Sequence, residues 1–153
     1  MRIANDILIP ELARLLKDGK EVRFTPSGVS MRPFIEGDRD SVILAAVTAS
    51  PRIGDVLLAS VQTLVGTQTY VLHRLVRIEK GTQGEAVYVL QGDGNISGEE
   101  RCVFADIIGR VIRIEGPSGR RKPLVRGRFW YAVRRWRPFL LKVYRHSILK
   151  WCY

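Results

Sequence analysis

Short apolar segments, separated by glycine-containing turns, run through the middle of this chain and restrict what it can fold into. β-branched and aliphatic residues dominate these segments, and such runs between turn residues are typical of strands. The pattern predicts six strands, at Glu21–Thr25, Ser41–Val47, Asp55–Val61, Thr69–Glu79, Glu85–Gln91 and Ile107–Ile114. We therefore expect a mainly β fold, with a hairpin loop at Lys80–Gly84 between the fourth and fifth strands.

A helix is predicted before the first strand, over residues 4–18. Its apolar residues recur at helical spacing, Gly19 suits its end, and Pro10 is expected to interrupt it near its start. The expected apolar residues are Ile7, Leu8, Leu12, Leu15 and Leu16. With 153 residues, of which 46% are hydrophobic, the chain is long enough for one compact core.

One serine stands out among the turns. Ser30 lies in the stretch Pro-Ser-Gly-Val-Ser-Met-Arg-Pro-Phe-Ile-Glu-Gly-Asp, residues 26–38, between the first two predicted strands. Gly28 gives it a small, flexible approach, and the Met-Arg-Pro sequence that begins at Met31 constrains the chain beyond it. A serine on such a turn can be presented to a cleft, but turn serines also commonly cap backbone groups. The local sequence leaves both interpretations open.

Three later segments accompany this stretch in a fixed order: Pro51–Leu58, Tyr70–Ile78 and Leu90–Asn95. Together with the Ser30 stretch, their order resembles that of serine peptidases of the type I signal peptidase superfamily. The run from Gly28 to Asp38 carries most of the resemblance, which covers about residues 21–115. The resemblance implies a signal-peptidase/LexA-like β core with Ser30 as its nucleophile.

One residue of the fourth predicted strand indicates a branch of this superfamily. Most bacterial signal peptidases and the self-cleaving LexA-like repressors have a lysine as general base where this chain has His73. Enzymes of the endoplasmic reticulum and archaeal type have histidine followed by arginine, so the resemblance of His73-Arg74 to them implies that His73 is the base. A neutral imidazole accepts a serine proton near neutral pH, whereas a lysine must first be buried to lose its own. The alternative is that His73 is a hydrogen-bonded core residue.

An acid that orients the histidine is also implied by the resemblance. Asp93 matches the acid of the family's Gly-Asp turn, and we expect it to be the third catalytic residue. Glu99, with Glu100 beside it, is the alternative acid, because the family often has a second acid there, usually an aspartate. A structural role for Asp93, as a turn cap, is the other interpretation.

Residues around Ser30 are expected to bind the substrate and its developing oxyanion. The backbone N–H of Ser30 would be one donor, as in many acyl-transfer sites. Several signal peptidases have a serine hydroxyl two positions before the nucleophile, where this chain has Gly28, so the second donor is either Ser27 or a backbone group. Met31 and Pro33 complete the predicted substrate-binding set.

The sequence predicts neither a metal ion nor an organic cofactor. Cys102 and Cys152 have neither metal-ligand spacing nor a disulfide framework around them. The run Gly92-Asp93-Gly94 lacks the further glycine and the following helix of a phosphate-binding loop.

The C-terminal segment, residues 116–153, has a composition unlike the rest of the chain. It contains eleven Lys and Arg residues, no Asp or Glu and all three tryptophans, whereas the other residues together carry a net charge of about −1. Much of 129–151 can form an amphipathic helix, which Pro138 should kink or split. Its apolar side is expected to contain Trp130, Val133, Leu140, Leu141, Tyr144, Ile148 and Trp151.

A basic, tryptophan-rich helix of this kind favours the surface of an anionic membrane, and we expect residues 120–153 to bind one. The alternative partners are a nucleic acid, which we do not favour, an acidic protein, and the chain's own catalytic domain. The sequence has no run of about 20 apolar residues and no signal peptide. We therefore expect a cytoplasmic protein, peripheral on the inner face of the membrane.

These features predict a serine endopeptidase that resembles signal peptidase and cleaves a precursor or leader peptide by a Ser–His mechanism. We expect an N-terminal helix over 1–20, a catalytic domain over 21–115 and a basic aromatic tail over 116–153. A self-cleaving LexA-like regulator is the first alternative, disfavoured because only 29 residues precede Ser30 and the lysine is missing. The second is a catalytically idle module whose tail binds a membrane or an acidic partner.

Overall fold

The structure, a computed structural model, describes residues 5–125, 133 and 135–149. The described part of the chain contains two helices, eight strands and a short 3₁₀ helix at Phe104–Asp106. The helices are α1 (Asn5–Lys17) and α2 (Arg137–Leu149). The strands are β1 (Val22–Phe24), β2 (Ser41–Ala45), β3 (Val56–Gln62), β4 (Gln68–Lys80), β5 (Ala86–Gln91), β6 (Glu100–Cys102), β7 (Ile107–Glu115) and β8 (Arg121–Lys122).

The strands form one antiparallel sheet in the order β1-β2-β7-β3-β4-β5-β6, with β8 paired to β7. The predicted mainly β fold is confirmed, and the six predicted strands are present to within two residues at each end. The hairpin loop between β4 and β5 is also at its predicted place, with Lys80 paired to Ala86. The sequence pattern does not predict β6 and β8, because they have only three and two residues and include charged ones.

Both faces of the central strands are buried, which explains their continuous apolar runs. In β3, Val56 and Leu58 belong to one apolar cluster, whereas Leu57 and Ala59 belong to another. Because successive side chains of a strand point to opposite faces, these clusters lie on the two sides of the sheet. The first cluster also contains residues of α1, together with Met31 and Ile35, which follow Ser30 in the chain. The turn that carries Ser30 is therefore anchored in the core.

Helix α1 differs from its prediction in two details. It continues without interruption through Pro10, whose exposed ring removes one backbone hydrogen bond but does not end the helix. Its fully buried residues are Ile9, Leu12 and Leu16, whereas Ile7 is exposed. The i, i+3, i+7 spacing of the buried set fits one face of a helix, and Ile7 lies off that face.

Helix α2 begins at Arg137, after a turn at residues 135–136, so that the predicted helix is interrupted just before Pro138, and Pro138 itself lies in the first turn of α2. A proline is tolerated there because the first N–H groups of a helix have no intrahelical partner. Two residues of the predicted apolar side, Trp130 and Trp151, lie outside the described residues. Cys152 also lies outside them. No helix among the described residues is long and apolar enough to span a bilayer.

Candidate active site

Ser30 occupies a tight turn that is fixed by the residues after it. The backbone N–H of Ile35 donates to the carbonyl of Met31 at 3.0 Å, and the side chains of both residues are buried. The N–H of Asp38 donates to the carbonyl of Pro26 at 2.7 Å, which closes the segment into a loop. Ser30 itself is half-buried at the surface of this loop.

Gly28 has a more specific role in the loop than a flexible approach to the serine. Its φ is +91°, a conformation that disfavours any residue with a Cβ. Gly37 lies directly against it, and a Cβ at Gly37 would collide with the Gly28 carbonyl oxygen. These two glycines therefore determine how closely the two ends of the loop approach each other, and so where Ser30 is held.

The turn at residues 92–95 packs directly against the Ser30 turn. The N–H of Gly94 donates to the Ser30 carbonyl at 2.7 Å. A Cβ at Gly92 would lie 2.5 Å from that same oxygen, and one at Gly94 would lie 2.9 Å from the Val29 carbonyl oxygen. Both glycines are thus required for the close approach of two backbone segments. The turn at 92–95 holds the backbone of Ser30 in place.

His73 is buried in β4, with 5% of its surface exposed. Its Nδ1 lies 2.8 Å from Oε2 of Glu100, which belongs to β6. An ionised carboxylate only accepts hydrogen bonds, so Nδ1 is the donor of this pair and carries a proton. In a neutral imidazole the free lone pair is then on Nε2, where it can accept a proton.

Ser30 and His73 line the same cavity, which has a volume of about 130 Å³. Of the residues predicted to bind the oxyanion or the substrate, Ser27, Gly28 and Met31 also line it, whereas Pro33 does not. Within the described part of the chain, no hydrogen bond joins the Ser30 hydroxyl to His73. In catalytic sites without substrate such hydrogen bonds are often long and tighten only in the complex.

The predicted acid Asp93 pairs with an arginine and not with the histidine. Its side chain, 1% exposed, accepts hydrogen bonds from Nε and Nη2 of Arg74, at 2.8 and 2.7 Å. Burial raises the pKa of the Asp93 carboxyl above its ordinary value, and the Arg74 guanidinium opposes that rise. Arg74 also donates to the carbonyls of Gly54 and Val125, at 2.7 and 2.6 Å. Asp93 thus links the turn at 92–95 to β4.

The acid next to His73 is Glu100, in place of the predicted Asp93 or its alternative Glu99. Glu99 forms an ion pair with Arg77, at 2.9 Å. Neighbouring residues of an extended segment point in opposite directions, so only one of two adjacent glutamates can reach the histidine. The sequence predicts an acid at Glu99 with Glu100 beside it. Which of the two reaches His73 depends on the pairing of β6, a strand that the sequence pattern does not predict.

A buried arginine of the C-terminal segment, Arg137 at the start of α2, completes the surroundings of the turn. Its Nε donates to the Asp93 carbonyl and its Nη1 to Oε1 of Gln91, each at 3.0 Å. Its Nη2 donates to the carbonyls of Gly92 and Asn95. The sequence does not distinguish this residue from the other basic residues of its segment. Part of the predicted tail therefore contacts the candidate site.

The other reactive side chains of the described residues form no second candidate site. Among the described residues, no group of three or more His, Cys, Asp or Glu side chains could hold a metal ion. Cys102 is a buried free thiol, and burial raises its pKa to about 11, so that it is protonated at neutral pH. The arrangement that can support acyl transfer consists of Ser30, His73 and Glu100.

The chain matches no protein-family model, no curated protein and no solved structure. What the site can do is therefore inferred from its own geometry.

Proposed function

We propose that this protein is a serine endopeptidase that resembles signal peptidase and cleaves a precursor or leader peptide. Ser30 is the nucleophile, His73 the general base and Glu100 the acid that orients the imidazole. The observation that carries the proposal is that His73, whose Nδ1 lies 2.8 Å from Oε2 of Glu100, lines the same cavity as Ser30. A hydroxyl, an imidazole and a carboxylate in this order are the parts of a nucleophilic acyl-transfer site.

In the proposed reaction, Nε2 of His73 takes the proton of the Ser30 hydroxyl as Oγ attacks the peptide carbonyl carbon. Glu100 keeps the hydrogen bond from Nδ1 and stabilises the imidazolium. The protonated Nε2 then gives its proton to the departing amine, which leaves the acyl group as an ester on Ser30. Water, deprotonated by the same nitrogen, hydrolyses this ester and restores the hydroxyl.

The negative oxygen of the tetrahedral intermediate would form beside the backbone of Ser30. The N–H of Ser30 donates no hydrogen bond to another described residue, so it is available to this oxygen. The second donor is either the hydroxyl of Ser27, which lines the same cavity, or a backbone group of this loop.

The size and lining of the cavity favour a small side chain next to the scissile bond. The residues that line it include Ile35, Leu72 and Tyr70. Its volume of about 130 Å³ is well below the ~300–1,000 Å³ of typical small-molecule pockets. We therefore expect substrates with glycine, alanine or serine at this position.

A peptide library provides the direct test of the activity. The full-length protein is incubated with peptides of varied sequence, and new termini are identified by mass spectrometry. Cleavages made by the wild type and missing from an identically prepared Ser30→Ala protein support the proposal. Products that are the same with both proteins, or no products, would overturn it. Shortening of the protein itself in the same spectra would indicate the self-cleaving alternative.

Replacing Glu100 by glutamine is expected to lower kcat by about 10²–10⁴-fold, because an amide neither stabilises the imidazolium nor selects the productive tautomer. Glu99→Gln is the matched control, because it changes the adjacent carboxylate, which pairs with Arg77 instead. Initial rates on a cleaved peptide measure both variants, and Glu99→Gln is expected to keep the wild-type rate. Equal losses in the two variants would contradict the role given to Glu100.

Replacing Arg137 by alanine is expected to lower kcat by up to about 10²-fold, because small displacements of a nucleophile are costly. Without this guanidinium the turn at 92–95 loses three hydrogen bonds and Gln91 loses a fourth, and the contact of the turn with the Ser30 carbonyl loosens. Arg145→Ala, an exposed arginine of the same helix, is the control. Faster hydrogen exchange of residues 92–95 should accompany the loss of rate. Faster exchange with an unchanged kcat would show that Arg137 does not position the site.

A further inference from the structure

Within the described part of the chain, helix α2 has one buried and one exposed apolar face. Leu141 is buried and Tyr144 is half-buried, on the side of the helix that also carries Arg137. Another side of the helix exposes Phe139, Leu140 and Val143, and together with the exposed Trp136, which directly precedes the helix, these residues form what we call the outer face. Of the apolar side that the sequence predicts, Leu141 and Tyr144 lie on the covered face and Leu140 on the outer face, whereas the other three residues of the outer face are not part of that prediction.

We propose that the outer face binds the surface of an anionic lipid bilayer. Phe139 and Val143 are 62% and 48% exposed, and their spacing of four residues places them side by side. Soluble monomers rarely leave contiguous large apolar side chains in water unless these side chains bind something. Trp136 lies at one end of the outer face, and tryptophan prefers the boundary between lipid headgroups and acyl chains.

The charges beside the outer face select the kind of membrane. Lys142 borders the apolar stripe by its helical spacing, and Arg135 is exposed next to Trp136. Residues 116–153 contain no Asp or Glu, so no acidic side chain of this segment weakens the attraction to anionic headgroups. Basic side chains beside an apolar stripe are typical of helices that lie flat in the bilayer interface.

A bilayer fits the outer face better than a nucleic-acid duplex does. Proteins bind the backbone of nucleic acids mainly through Lys, Arg and small polar side chains. The most exposed side chains of the outer face are instead those of Trp136 and Phe139. A row of phosphates offers these rings no apolar environment, whereas the acyl boundary of a bilayer does.

Docking through the outer face leaves the contacts of α2 with the candidate site intact. Arg137 lies on a different side of the helix, where it binds the turn at 92–95. A bilayer at the outer face would therefore not compete with this contact. Membrane binding through the outer face does not depend on whether the protein is a peptidase.

Co-sedimentation of the full-length protein with lipid vesicles tests the proposal. Vesicles of phosphatidylcholine alone are compared with vesicles that also contain phosphatidylglycerol. We expect binding to the anionic vesicles, weakened by salt, and a loss of about tenfold in Phe139→Ser/Val143→Ser. Leu64→Ser/Val65→Ser is the matched control, because it removes two exposed apolar side chains from the loop between β3 and β4. This control should bind like the wild type.

Four outcomes would overturn the proposal. The first is that the wild type does not bind anionic vesicles, and the second is that the outer-face variant binds them as well as the wild type does. The third is that the wild type binds a DNA duplex more tightly than it binds the vesicles. The fourth is a wild-type dimer in sedimentation velocity that the outer-face variant abolishes while vesicle binding is unchanged, which would assign the face to a second copy of the chain.

Discussion

Ser30→Ala and His73→Ala are each expected to lower kcat/KM on a cleaved peptide by at least about 10⁴-fold. The double variant is expected to be no slower than either single one, because a nucleophile and its base act as a unit: without one of them, the other contributes nothing. Such a unit is supported by the cavity that both residues line, together with the hydrogen bond of Nδ1 that leaves Nε2 of His73 free to accept a proton. Steady-state rates of all four proteins on one peptide measure the effect.

Folding must be separated from chemistry in this comparison. The Ser30 side chain forms no hydrogen bond with a described residue, so Ser30→Ala is expected to unfold at the same urea concentration as the wild type. His73→Ala leaves a gap in β4 and removes the partner of Glu100, so its unfolding curve has to be recorded as well. A folded variant with more than about a tenth of wild-type activity, or losses that multiply in the double variant, would contradict the proposed mechanism.

The sequence predicts those features of this molecule that depend on short-range patterns of apolar and turn residues. The apolar runs of β3 and β4 identify them as strands because both faces of the sheet are buried there. Ser30 can be identified because its loop requires glycines at Gly28 and Gly37. His73 can be identified because a histidine is unusual in so apolar a strand. The structure places these two residues at one cavity.

The orienting acid depends on strand register, which the local sequence does not encode. Glu100 lies opposite Leu90 in the pairing of β5 with β6. A shift of that register by one residue would exchange the directions of Glu99 and Glu100. Because β6 has only three residues, no alternation of apolar and polar side chains defines it in the sequence.

Arg137 is beyond local prediction for a different reason. Its local surroundings resemble those of other basic residues in 116–153, and its acceptors include a carbonyl 44 residues earlier in the chain. Burial of a guanidinium is tolerated only where several acceptors converge on it. That convergence is a property of the assembled turn at 92–95, which the sequence of the tail does not reveal.

Asp93→Asn is expected to lower the free energy of unfolding by about 3–5 kcal/mol, because it removes one member of a buried ion pair and leaves the other charge in place. Arg74 is 1% exposed, and its Nε and Nη2 both donate to the Asp93 carboxylate. An asparagine keeps the size of the side chain but offers one carbonyl oxygen and no charge. Urea unfolding followed by circular dichroism measures the loss.

The matched comparison is Glu99→Gln, which breaks a carboxylate–arginine pair with the same chemistry at the surface, where Arg77 is much more exposed than Arg74. That variant should unfold at nearly the same urea concentration as the wild type, because water can solvate the Arg77 charge in place of the carboxylate. Replacing both members of the buried pair, as Arg74→Met/Asp93→Leu, should cost less than the sum of the single changes, because no charge is then left buried alone. Equal stability of Asp93→Asn and the wild type would mean that Arg74 does not depend on this carboxylate.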